Sequence, residues 1–179
     1  MRPPAKLSSE QALYTAALGA LTRRAHSVFE MRGYLERRAA EPASARRVLA
    51  RLRQEKLLDD ARYALDFARH RARARRQGRY RIVRELRVRG VPDPHIEAAV
   101  ARVFAETDEA LLVRTAIERR LRSLRGPFDP RKAASLYRTL LRSGFDAEMI
   151  RREMRSARID NAHGAPELLE AFSADEDCG

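Results

Sequence analysis

The fold is decided by residues 57–90, which read LLDDARYALDFARHRARARRQGRYRIVRELRVRG. Asp59 and Asp60 stand where a carboxylate caps a helix and faces the positive end of its dipole. An arginine-rich helix is expected to follow and to end at Gly78. A second helix is then expected to end at Gly90, where glycine suits the residue after a helix C-terminus. The stretch therefore predicts a pair of helices separated by a glycine.

The first of these helices is predicted to be amphipathic. Tyr63 and Phe67 are four residues apart, about 40° around a helix of 3.6 residues per turn, and are expected to belong to the core. An arginine stripe is predicted on the opposite side, formed by Arg62, Arg69, Arg73 and Arg76. The second helix is expected to bury Ile82, Val83 and Leu86 and to point Arg81 and Arg84 outward.

The composition favours an all-α fold. The 179 residues are 44% hydrophobic, rich in Ala, Leu and Arg, and include only 8 glycines. These abundant residues are strong helix formers, whereas β-branched residues are sparse. The length is sufficient for one or two domains with a buried core.

The charge is strongly positive and unevenly distributed. The formal net charge is +12, yet all 37 Lys and Arg precede residue 159, where they face 19 of the 25 acids. Residues 1–158 therefore carry +18, which indicates a polyanionic partner. Residues 160–179 are acidic and are predicted to form a flexible tail.

An apolar register recurs along the chain and predicts internal repeats. The spacing of Leu86, Gly90, Ile96 and Val100 returns unchanged in Leu140, Gly144, Ile150 and Met154. The same spacing occurs nearer the N-terminus in Leu35, Ala39, Ala45 and Leu49. Helical units of this size stack so that each buries its neighbour's apolar face. The predicted organisation is a flexible lead (1–7), three three-helix repeats (8–56, 59–105 and 107–159) and the acidic tail (160–179).

The sequence does not favour an enzyme. The four histidines are scattered without cysteine or carboxylate at metal-ligand spacing, and the single cysteine, Cys178, lies in the acidic segment. The glycines are spaced as helix ends and form no phosphate-binding loop. We therefore expect no catalytic residue, no metal and no cofactor. No leader and no membrane span are expected either, so a cytoplasmic protein is predicted.

The pattern resembles the RecX family, the regulators of the RecA recombinase. The resemblance rests on Leu58-Asp59-Asp60, Tyr63-Ala64, the basic helix, Gly78, Glu85-Leu86 and Arg89-Gly90. Leu140-Leu141 and Ser143-Gly144-Phe145 resemble the family's closing segment. The similarity covers about residues 12–158. The first repeat departs most, because Ala39-Ala40 stands where the later repeats have glycine.

The resemblance implies an all-helical molecule of three tandem three-helix repeats, elongated and curved. It also implies binding to RecA and to the RecA–DNA filament, with inhibition of the ATPase, coprotease and strand-exchange activities of RecA. A monomer that contacts single- and double-stranded DNA without sequence preference is expected.

The arginine stripe is the predicted contact surface because guanidinium groups bind both carboxylate and phosphate. The predicted contact residues are Arg69, Arg73, Arg76, Arg81 and Arg84, followed by Arg62. The alternative is a stand-alone helix-turn-helix protein such as a transcription regulator. Such a protein should offer Asn, Gln and Arg to base edges, whereas the polar residues expected on this surface are nearly all arginine.

Overall fold

The computed structural model describes residues 6–123 and 128–157, so the predicted acidic tail and the first five residues of the predicted lead lie outside it. Within these ranges the chain forms nine helices and no strand, which confirms the all-α prediction. The helices are α1 (Glu10–Arg23), α2 (Val28–Glu36), α3 (Pro42–Gln54), α4 (Asp60–Arg73), α5 (Arg79–Val88), α6 (Asp93–Glu106), α7 (Glu109–Arg122), α8 (Pro130–Arg142) and α9 (Ala147–Ser156).

The predicted apolar register coincides with the buried side chains. Every apolar residue named in it is at most 8% exposed. Gly90 and Gly144 both have positive φ, at 68° and 87°, and end α5 and α8 as the register predicts. Burial of one large apolar side chain contributes about 1.5–3 kcal/mol, so the recurring positions account for much of the stability of the helices.

In chain order the nine described helices form three triplets, α1–α3, α4–α6 and α7–α9. The described residues also form two compact units, and the boundaries of these units do not follow the triplets. The first unit comprises residues up to 70 together with 83–102, and the second comprises 71–82 together with residues from 103 onward. The core of the first unit is built mainly on α1–α3, with Leu13, Met31 and Leu35 fully buried. The core of the second unit is built on α7–α9, around Ile117 and Ile150. The boundaries of the three predicted repeats stay a prediction.

In the first unit, the N-terminus of α2 is held by residues from α4 and from the end of α5. The backbone amide of Val28 donates to Oδ1 of Asp60 at 2.9 Å. The hydroxyl of Ser27, which is fully buried, donates to the carbonyl of Arg89 at 2.6 Å. A Cβ on Gly90 would lie 2.4 Å from Cγ of Phe29, so the turn after α5 must be glycine for α2 to approach it this closely.

In the second unit, the N-terminus of α5 is held in the same manner by α7 and by the turn after α8. The backbone amide of Arg79 donates to Oε1 of Glu109 at 2.9 Å, and its Nε donates to Oε2 at 2.7 Å. The amides of Gly78 and Tyr80 donate to the carbonyls of Ser143 and Gly144 at 2.9 and 3.1 Å. These bonds satisfy amides that no intrahelical carbonyl can reach.

We call each of these arrangements a joint: the N-terminus of a triplet's second helix seated on the next triplet. In both joints an acid from the first turn of the next triplet accepts a bond from the first helical amide. In both joints that helix end also packs on a glycine turn of the next triplet. The internal repeat therefore extends to the polar bonds that connect one triplet to the next, as well as to the apolar positions of the core.

Substitution of Gly78 tests the joint of the second unit. A Cβ at this position would lie 2.2 Å from the carbonyl oxygen of Gly144 and 2.6 Å from the amide of Phe145. Because both atoms belong to backbone, Gly78→Ala is expected to cost about 1–3 kcal/mol. Chemical denaturation followed by circular dichroism measures the change.

Gly19→Ala is the matched control, because a Cβ there meets nothing within 4 Å inside α1. It is expected to stabilise the protein by about 0.5–1 kcal/mol, the usual gain of alanine over glycine in a helix interior. A Gly78→Ala variant as stable as the wild type would contradict the structural role of the joint.

Candidate nucleic-acid interface

Three of the six predicted contact arginines lie in the first unit. Arg62 is exposed on α4 and pairs with Asp66 at 3.8 Å. Arg69 is half-buried on the same helix, and Arg84 is exposed on α5. The prediction of outward-facing side chains is thus met by Arg62 and Arg84.

The other three arginines lie in the second unit, and two of them differ from the prediction. Arg76 is not on the first basic helix, because α4 ends at Arg73 and Arg76 has a positive φ of 51° in the following turn. Gly78 accordingly does not end α4 but precedes α5, where its amide binds the carbonyl of Ser143. Arg81 does not point freely outward: it is half-buried and donates to the carbonyl of Arg142 at 3.1 Å.

A groove in the second unit gathers arginines from two helices and a turn. Its volume is about 740 Å³, and we call it the arginine groove. Its lining comprises Arg73, Ala74, Arg75, Arg76, Ala116, Arg119, Arg120, Ser123, Leu136, Thr139, Leu140, Ser143 and Phe145. Five guanidinium groups and three hydroxyl groups are therefore available around it, and no lining residue is acidic.

The electrostatics of the arginine groove favour an anionic ligand. Arg73 pairs with Glu106 at 3.2 Å. The other four arginines are exposed and, within the described part of the chain, none of them pairs with a carboxylate. Like charges held close together repel, so a bound anion relieves the repulsion while accepting bidentate bonds. Phosphate and carboxylate groups are the natural ligands of such a set.

Arg119 and Arg120 were missed by the sequence prediction. They occupy the last turn of α7, where a basic residue also favours the negative end of the helix dipole. The sequence signal was the run ERRLR at 118–122, which resembles an ordinary solvated helix end. Only the packing of α7 against α8 and α9 in the second unit reveals that these side chains share a groove with Arg75 and Arg76.

A second groove, of about 760 Å³, lies in the first unit, and we call it the aromatic groove. Tyr63 and Phe67 line it with their rings stacked at 6.1 Å between centroids and 24° between planes. The guanidinium of Arg89 lies 4.6 Å from the centroid of Phe67. Both aromatic side chains are half-buried, less than the sequence predicts for core residues, and they form a partly open wall.

Metal-binding clusters and membrane-spanning helices are both absent from the described residues. Among the described residues, no three His, Cys, Asp or Glu side chains gather in a way that could hold a metal ion. None of the described helices has both the length and the apolar character needed to cross a bilayer. The two grooves, and a third pocket of about 790 Å³ against Phe29 and Gly90 in the first unit, are the cavities on which a function can be argued.

The fold and the grooves define an all-α protein built from tandem three-helix domains, of a kind suited to binding macromolecules. Comparison with known families gives a consistent result. The family description "RecX, first three-helix domain" matches residues 14–52, and "RecX, second three-helix domain" matches residues 59–100.

Whole-chain relatives extend this match. The Regulatory protein RecX of Halorhodospira halophila is 37% identical over 157 residues, covering 88% of this chain and 95% of the relative. That of Prosthecochloris aestuarii is 36% identical over 138 residues, covering 77% and 88%. The crystal structure of RecX from Lactobacillus salivarius shares the fold, with a TM-score of 0.70 at 20% identity, over 82% of this chain and 95% of that one. The chain belongs to the RecX family of regulatory proteins.

The arginine groove predicts a measurable salt dependence. Each phosphate contact to single-stranded DNA contributes about 0.7 to the slope of log affinity against log salt. A variant with Arg76, Arg119 and Arg120 replaced by Gln is expected to lose up to about 2 of this slope. Fluorescence anisotropy with labelled oligo(dT) at several salt concentrations measures the slope.

The control replaces Arg131, Arg138 and Arg155 by Gln, which removes the same charge from exposed positions of the second unit outside the groove. The slope of the control should stay close to that of the wild type. Equal losses in the two variants would mean that total charge, not the groove, governs DNA binding.

Proposed function

We propose that this protein binds RecA and the RecA–DNA filament and that binding mainly lowers the recombinase, ATPase and coprotease activities of RecA in DNA repair and recombination. Membership in the RecX family supports the partner. The arginine groove is the observation on this chain that supports the mode of binding. In this proposal the protein acts as a monomer in the cytoplasm, with no catalytic residue, metal or cofactor.

The chemistry of the filament fits the arginine groove. A nucleoprotein filament offers phosphate groups and acidic protein side chains in a regular array. Arginine binds both through parallel N–H···O bonds and stays charged at all physiological pH values. Contacts to phosphates carry no sequence information, so binding should be independent of sequence and sensitive to salt.

The proposed contact residues follow from exposure and pairing. Exposed arginines without a carboxylate partner in the described chain make the main contacts. Paired arginines contribute once the phosphate or carboxylate of the filament replaces their own carboxylate partner. The contact set is Arg62, Arg69, Arg73, Arg76 and Arg84, as the sequence predicts, with Arg75, Arg119 and Arg120 added. Arg81 is placed in a supporting role, because its guanidinium already binds the carbonyl of Arg142.

The direct test measures the ATPase of RecA on single-stranded DNA with and without this protein at substoichiometric ratios. The ATPase rate is expected to fall, and the Arg76, Arg119 and Arg120→Gln variant is expected to inhibit less at equal concentration. The Arg131, Arg138 and Arg155→Gln control should inhibit as the wild type does. An unchanged ATPase rate and filament lifetime would refute the proposed function.

A stand-alone helix-turn-helix regulator is the competing function, and DNA alone distinguishes it. Such a protein typically binds its site about 10³-fold or more tighter than unrelated DNA. We expect instead a single affinity across unrelated duplexes of equal length. Strong selection of one sequence from a random pool, without any effect on RecA, would favour the competitor.

A further inference from the structure

The arginine groove and the aromatic groove occupy matching places in the repeat. Both are lined by the turn after the first helix of one triplet and by the first helix of the next. Phe67 and His70 of α4 line the aromatic groove, and Ala116 and Arg119, with the same spacing on α7, line the arginine groove. Arg24 and Arg75, each in the turn after the first helix of its triplet, correspond in the same way. Each unit thus has a groove of similar size at this place in the repeat.

The side chains at matching places differ in chemistry. The place of the Phe67 ring is taken by the methyl group of Ala116, and the place of the His70 imidazole is taken by the guanidinium of Arg119. One groove therefore keeps aromatic surface, whereas the other gains a permanent charge. A single ligand class does not suit both.

All three arginines of the aromatic groove are paired with carboxylates, whereas only Arg73 among the five arginines of the arginine groove is paired in the described chain. Arg24 pairs with Glu30 at 2.9 Å, Arg62 with Asp66 at 3.8 Å, and Arg89 with Glu85 at 4.0 Å.

Two further charges and two histidines, His26 and His70, line the aromatic groove. Lys56 and Asp59 have opposite charges, and the carboxylate of Asp59 also accepts a bond from the amide of Arg62 at 3.0 Å. Burial lowers the pKa of His26, which favours the uncharged ring. This groove is close to neutral and has little attraction for a polyanion.

The aromatic groove also exposes apolar surface. Leu57, on its edge, is 44% exposed, and Leu21, Tyr63 and Phe67 are half-buried along its lining. Arg89 holds the ring of Phe67 from one side, which fixes the wall before a ligand arrives. A neutral apolar groove with a preformed aromatic wall fits an apolar side chain that projects from a protein.

We propose that the two grooves bind different partners. The aromatic groove of the first unit binds an apolar side chain presented by a protein, and the arginine groove of the second unit binds the phosphate backbone of DNA. The inference rests on the proposed function, which supplies RecA as the protein. It assigns separate residues to the protein contact and to the DNA contact.

The test compares two variants against two separate probes. Leu57→Glu places a carboxylate on the edge of the aromatic groove, and its matched control, Leu111→Glu, makes the same change at a leucine that is 52% exposed in the second unit and lines neither groove. The Arg76, Arg119 and Arg120→Gln variant addresses the arginine groove. The probes are RecA without DNA and labelled oligo(dT) without RecA. Circular dichroism and thermal melting confirm that all variants are folded.

Each variant is expected to lose affinity for one probe and to keep its affinity for the other. Leu57→Glu weakens RecA binding about tenfold or more, because it places an unpaired carboxylate against an apolar ligand, and it binds oligo(dT) as its control does. The arginine variant loses oligo(dT) affinity and keeps its RecA affinity within about twofold, because the two grooves share no residue.

Each other outcome overturns the division. If Leu57→Glu weakens oligo(dT) more than RecA, the aromatic groove stacks bases instead. If Leu57→Glu matches Leu111→Glu against both probes, the aromatic groove is not a contact site. If it instead abolishes self-association in sedimentation, the occupant is a second copy of the chain. If the wild-type protein binds oligo(dT) but not RecA, the proposed function itself is refuted. The comparison of variants tests only the division of the two contacts between the grooves.

Discussion

The joints at the N-termini of α2 and α5 are the constraint on which the described architecture depends. A helix start carries amides without intrahelical acceptors, and burial of that start is costly unless other groups accept them. Asp60 supplies one acceptor for α2, and Glu109 supplies one for α5. A glycine turn then allows the backbone of the next triplet to approach without a Cβ in the way. Polar bonds at the joint and apolar packing beneath it therefore specify the same arrangement, which is how a repeat protein fixes its register.

The two grooves lie at matching places in the repeat, and the side chains that line each groove determine its chemistry. The arginine groove holds four guanidinium groups that have no carboxylate partner in the described chain. Such a cluster costs electrostatic energy in the free protein, which a bound polyanion offsets. The aromatic groove pairs its arginines internally and leaves apolar surface open. One repeated backbone thus carries two grooves of different chemistry.

The sequence predicts the local features of this fold well, because helix periodicity and capping depend on neighbouring residues. Asp59, Asp129 and Asp146 accept bonds from backbone amides three residues later, as capping residues should. Features set by distant residues were not predictable. The turn at Arg76 follows α4, whose end at Arg73 is given by no local signal, and Gly78 is required by the backbone of Gly144, far along the chain. The predicted arginine stripe located charge correctly but not its pairing, which depends on where acids from other helices fall.

Hydrogen–deuterium exchange of this protein in the presence of a RecA filament on single-stranded DNA tests the account most directly. The account predicts protection at two separate places, residues 56–67 along the aromatic groove and residues 116–123 along the arginine groove. RecA without DNA should protect only the first place, and oligo(dT) alone only the second. Protection confined to other surfaces, with both grooves exchanging as in the free protein, would contradict it.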